Sequence, residues 1–208
     1  FRNMFIALKK NDIDLAKKTR AMDQSANLFY DEVKLYLTRL SRESLGEKER
    51  IRCSEIMSFA TNLEHIGDII SVDMIDSLLR KKMTPGARMS LQDREDINNL
   101  YQPVLLSFNL SLSVFTSGDI SMARQLLAKK YKFIKLEKQS VVNHLNKLRE
   151  DVTYDSRLSA LQLDVIRDLK RINSHLTSVA YPILESAGHL RSRLRTSTSV
   201  TAETKVLS

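Results

Sequence analysis

Residues 11–18 read NDIDLAKK and residues 118–125 read GDISMARQ. Each runs through a turn residue, an Asp, an Ile, a spacer, an apolar residue, an Ala and a base, in that order. An Asp just before an apolar-periodic segment caps a helix by accepting a backbone N–H, so Asp12 and Asp119 predict the starts of two equivalent long helices. Further along, Leu63 and Ile66 align with Leu169 and Ile172 at nearly the same offset. An internal repeat of about 107 residues therefore predicts two copies of one helical unit.

The composition agrees with helices. The 208 residues contain five Gly, three Pro and no Trp, which leaves few turn signals and favours long helices over many short strands. Breaks fall at Lys10-Asn11-Asp12, Ser41 to Gly46, Met83 to Ser90, Ser117-Gly118-Asp119 and Glu150 to Ser156. Between them helices are predicted over 3–10, 12–41, 47–82, 91–117, 119–149 and 155–190. The fold class predicted is all-α, six long antiparallel helices in tandem three-helix bundles. Thr84-Pro85-Gly86 is the strongest break and separates a first repeat, 1–84, from a second, 90–192. The first helix of the first copy is short and the chain opens at Phe1 without an initiator Met, so a trimmed N-terminal helix is expected. Residues 193–208 are polar without helical period, as in a disordered tail.

The formal charge is +8, which suits anionic partners in general. Acids and bases alternate along most of the chain, however, and no clustered basic arm or recognition motif is present, so nucleic acid is not an expected partner. A single Cys53 excludes an internal disulfide and a cysteine-only zinc site, and favours a reducing compartment. The long uncharged run from Ile97 to Gly118 is long enough to span a bilayer. Its Asn, Gln, Ser and Thr residues argue against that, and Leu100, Val104, Phe108, Leu112 and Phe115 read instead as one buried stripe of a soluble helix.

Candidate chemistry concentrates in 62–70, NLEHIGDII. Glu64 and Asp68 lie four apart and emerge from one helix face. Such a pair can hold Mg, Mn, Fe or Zn if a neighbouring helix adds oxygens, or can be a solvated acidic face whose like charges mildly repel. Gly67 costs about 1 kcal/mol relative to Ala inside a helix, which close approach of another helix or a ligand would offset. His65 reads as a partly exposed histidine. In the second copy Lys170 and Ser174 replace the carboxylate pair, and Asp164, Asp168, Arg171 and His175 form a polar stripe beside the apolar seam of Leu161, Val165, Leu169, Ile172, Leu176 and Val179. Arg171 there predicts ion pairing, with metal or phosphate binding through Asp164, Asp168 and His175 as the alternative. No phosphate loop, nucleophile triad or zinc-protease motif occurs, so no catalytic residues are assigned.

The stretches DEVKLYLTRLS at 31–41, SFATNLEHIGDII at 58–70, LSVFTSGD at 112–119 and RDLKRINSHLTSVAYPIL at 167–184 together resemble PhoU domains. The branch they most resemble is the C-terminal cytoplasmic region of bacterial sodium/phosphate cotransporters. The resemblance implies a non-enzymatic regulatory module at the cytoplasmic face of the inner membrane, attached to a membrane transport domain that handles inorganic phosphate and sodium. It also implies iron or zinc at the E-x-x-x-D motif, which carries over to Glu64 and Asp68 only. A homodimer is a further partner expectation. A free-standing PhoU-type regulator acting on a transporter or sensor kinase, or a metal-binding protein, are the alternatives.

Overall fold

The structure is a computed structural model that describes residues 1–82, 89–150 and 155–189. The break at Thr84-Pro85-Gly86 and the tail at 193–208 lie outside the described residues. The expected all-α fold is the one observed. The elements are α1 (Arg2–Lys10), α2 (Ile13–Ala21), α3 (Asp23–Leu40), α4 (Glu47–Asp68), a π-helical turn (Ile69–Met74), α5 (Ile75–Lys82), α6 (Leu91–Ser117), α7 (Ile120–Glu150), α8 (Ser156–Thr177) and α9 (Ala180–Ser186).

The repeated caps form as predicted. The Asp12 carboxylate accepts from the Leu15 N–H at 2.8 Å, and Asp119 accepts from the Met122 N–H at 2.7 Å. The corners before them use the left-handed region, at Asn11 with φ 59° and Gly118 with φ 65°, which Asn and Gly enter at least cost.

Two of the predicted long helices are interrupted. The one expected over 12–41 breaks at Met22, because its halves have different packing partners: α2 lies against α1, α5 and the π turn, whereas α3 lies along α4. The one expected over 155–190 breaks between α8 and α9 at Ser178-Val179. Pro182 explains this, since a proline inside a helix donates no hydrogen bond and clashes with the carbonyl four residues earlier, here that of Ser178. The 47–82 helix is continuous, but it widens to π geometry directly after Asp68.

Helices α6, α7 and α8 pack on one another as a three-helix bundle. The larger core is shared between the two copies. It joins Met4, Leu8, Ile66, Ile69, Met74, Ile75 and Leu78 of the first copy to Ile97, Leu100, Val104, Phe133 and the α8 seam from Leu158 to Leu176. A smaller core of Val114, Ala123, Leu126, Leu127, Ala180 and Leu184 holds the α6–α7 corner against α9. The predicted α6 stripe is buried at Leu100 and Val104 and partly buried at Phe108 and Phe115, while Leu112 is exposed. Among the described residues no helix is long and apolar enough to cross a membrane.

Candidate functional site

Helix α4 packs on both α3 and α8, and the NLEHIGDII stretch runs into the π turn, so Asn62 and His65 lie at the seam between the two copies, against α8, while Glu64 lies near the first turn of α3. Glu64 and Asp68 share a face, as their spacing predicts. The close neighbour that Gly67 anticipated is Asp23, in the first turn of α3: a Cβ at position 67 would stand 3.1 Å from Asp23 Oδ1. Asp23 thus brings a third carboxylate to the pair. Burial raises the Glu64 carboxyl above its ordinary 4.5, Asp68 raises it further, and Asp23 adds to this against the opposing effect of His65. The folded chain therefore holds this proton more tightly than the unfolded chain, and stability falls as pH rises above 4.5 into the raised range.

Carboxylates from two helices suit a hard or borderline cation in kind. Among the described residues, however, no three His, Cys, Asp or Glu side chains are arranged to hold a metal ion.

The α8 stripe is occupied differently. Asp168 is fully buried and accepts from Arg167 Nε at 3.1 Å and from Arg171 Nη1 at 3.3 Å. Burial pushes its carboxyl up while the two guanidiniums pull the other way. Asp164 pairs with Arg167 at 3.0 Å. Arg171 also reaches across the seam to Asp73, which emerges from the π turn. The ion-pair reading of this stripe is the one the geometry supports for Asp164 and Asp168.

His175 likewise faces the first copy. Its Nδ1 lies 2.8 Å from Asn62 Oδ1, and its ring meets that of His65 edge-on, with centroids 5.2 Å apart. Burial, His65 and Arg171 hold His175 below the ordinary histidine value, so it is a neutral donor to Asn62 near neutral pH. Asp23, Asn62 and Asp73 were not singled out from the sequence. Asp23 sits on another helix with no spacing that links it to Glu64, and Asp73 depends on the π turn.

Near this seam is a cleft of about 100 Å³. Ser58, Phe59 and Asn62 line it from α4, Phe115 and Gly118 from the α6–α7 corner, and Ser178, Val179, Pro182 and Ile183 from the end of the α8–α9 segment, together with Arg52 and Glu55. Three of the stretches that carry the family resemblance, 58–70, 112–119 and 167–184, thus meet at one place. Phe59 stacks on Phe115 at 4.1 Å. Arg52 lies 4.6 Å from the centre of the same ring and donates to the Phe115 carbonyl at 3.1 Å. The cleft can take a small apolar group.

Comparison with known proteins places this arrangement in context. Crystal structures of PhoU from Pseudomonas aeruginosa and of the phosphate transport system regulatory protein PhoU from Streptococcus pneumoniae superpose with a TM-score of 0.78 each. They cover 91% and 92% of this chain and 88% of each of those chains, at 17% and 16% identity, a likeness of fold. Proteins of Escherichia coli K12 and Salmonella typhimurium LT2, each named "Putative inorganic phosphate export protein YjbB", are 33% identical over 169 residues. That alignment takes in 81% of this chain and 31% of theirs, so the chain spans about a third of the length of these curated relatives. The sequence pattern of the PhoU domain matches residues 1–72 and 97–183, and by this measure the chain belongs to the PhoU domain family.

Proposed function

We propose that this chain is the regulatory PhoU domain of an inorganic phosphate transporter, a sodium-dependent one as the resemblance implies, and that it acts without catalysis by packing at the cytoplasmic face of the membrane part. The observation that carries this reading is the 33% identity to a phosphate export protein of which the match covers 31%, because the remaining length of such a relative has room for a transport domain. The α3 helix supports it. Met22, Phe29 and Tyr36 recur every seven residues on its outer side, with Leu28 and Leu35 beside them, and Phe29 and Tyr36 are 74% and 64% exposed. A heptad-spaced apolar stripe of this kind fits another helix.

Co-purification of the tagged chain with the membrane part encoded in the same reading frame tests this, together with phosphate flux measured with and without the chain. Phe29→Asp with Tyr36→Asp should weaken the association tenfold or more, as loss of central aromatic anchors does. The same exposed positions should leave the thermal midpoint nearly unchanged. A reading frame that encodes no membrane helices would favour the second reading, a free-standing regulator that binds a transporter or sensor kinase in trans.

A cation at Glu64 and Asp68 is a further part of the proposal, with iron or zinc as the metals the resemblance implies. The negative charge that Asp23 adds beside the pair favours a cation there. Elemental analysis of protein purified without chelator and supplemented with iron or zinc tests it, and Glu64→Gln with Asp68→Asn should abolish any bound metal. In the metal-free protein the same pair of changes should raise stability at pH 7 by a few tenths of a kcal/mol, because like-charge repulsion is relieved. The gain should shrink as the pH is lowered into the raised range of the Glu64 carboxyl, where its protonation removes the repulsion. Metal retained by the double variant places the ligands elsewhere.

A further inference from the structure

The charge of this chain is unevenly distributed over its surface. Helix α7 carries eight bases and two acids, a net +6 out of the chain's +8. Of the acids, Glu150 ends the helix, and Glu137 is nearly buried and takes Lys170 of α8 at 3.1 Å. The side of α7 turned inward is anchored by Ala123, Leu126, Phe133 and His144.

The opposite side is built from two rows that repeat every seven residues. Arg124, Tyr131, Lys138 and Leu145 form one, and Ala128, Lys135, Val142 and Arg149 form the other, all exposed. Lys132 flanks them. Among the described residues no carboxylate pairs with Lys132, Lys135 or Lys138. At 1.5 Å per residue the rows extend for roughly 38 Å along the helix.

We propose that this outer face of α7 docks on an anionic lipid surface. Charge complementarity selects that occupant, since bases cover the face while its one central acid is turned away and neutralised. The interleaved Tyr131, Val142 and Leu145 select it again: apolar groups between lysines suit the boundary between headgroups and acyl chains, whereas a phosphate backbone offers Val142 and Leu145 nothing. The face is too basic to enter the hydrocarbon, so the contact is peripheral. It differs from the α3 stripe, where apolar residues predominate and a protein helix is the better fit. The inference takes only its cellular setting from the membrane-side function proposed above. Bare vesicles without any transporter test it alone, so it can fail while that reading stands.

The experiment is co-sedimentation of the 208-residue chain with vesicles of phosphatidylcholine alone and of phosphatidylcholine with one third phosphatidylglycerol. Binding is expected to the anionic vesicles only, with release as salt shortens the screening length. Each lysine near an anionic surface contributes about a fivefold change in partition, so Lys132→Gln, Lys135→Gln and Lys138→Gln together should weaken binding about a hundredfold. Val142→Ser with Leu145→Ser should weaken it further at unchanged charge. A control with Lys10→Gln, Lys17→Gln and Lys18→Gln, which removes the same charge from exposed positions on α1 and α2, should keep most of the binding. Equal affinity for neutral and anionic vesicles, no binding to either, or an equal loss in the control would overturn the proposal.

Discussion

Replacing Arg167 and Arg171 together by alanine should lower the unfolding free energy by about 3–5 kcal/mol, the cost of stranding a buried charge whose partners have been removed. At about 2–4 °C per kcal/mol for a chain of this size, the thermal midpoint should fall by on the order of 10 °C. The stranded group is Asp168, which is fully buried and takes both guanidiniums. Its carboxyl already lies above the ordinary 3.8 because of burial. The folded state of the variant should therefore gain further from protonation, and the deficit should shrink as the pH is lowered toward 3.8. Asp168→Asn in the double-arginine background should recover most of the loss at pH 7. Thermal melts at pH 7 and pH 4 check both statements, and a deficit that is independent of pH and not rescued by asparagine would assign the arginines a packing role instead.

Ile172→Ala is the second large effect. Ile172 is fully buried in the core that both copies share, and truncating such a side chain costs about 2–5 kcal/mol through lost transfer energy and the cavity left behind. Because Ile66, Ile69 and Ile75 of the first copy belong to the same core as the α8 seam, the loss should appear in both copies at once. Hydrogen exchange by residue would read this: slow amides in α4 and α8 should become faster together. Acceleration confined to α6–α8 would mean that the copies unfold separately.

Much of the fold was legible in the sequence because it rests on local rules. The Asp12 and Asp119 caps, the left-handed corners at Asn11 and Gly118, and the α8 seam each follow from a residue type at a fixed offset. The interruptions were harder to read. Pro182 was visible, yet the break it imposes lies four residues upstream. The break at Met22 has no local breaker and arises because α2 and α3 pack on different partners.

The candidate site divides in the same way. The spacing of Glu64 and Asp68 put them on one face, and Gly67 announced a close neighbour, but only the packing of α3 on α4 identified that neighbour as Asp23. The stripe of Asp164, Asp168, Arg171 and His175 was readable as one line beside an apolar seam. That it faces the first copy depends on the packing of α4 on α8, which supplies Asn62, and on the widened turn at 69–74, which supplies Asp73.

The sequence by itself determined the helical class, the repeat, the caps and the family, because hydrophobic period and capping act over a few residues and survive without tertiary context. Tertiary structure decided which charges are neutralised and which remain open to a partner. Ion pairing depends on distances between helices that are far apart in the chain, and burial, which sets the cost of every unpaired charge, is fixed only when those helices pack.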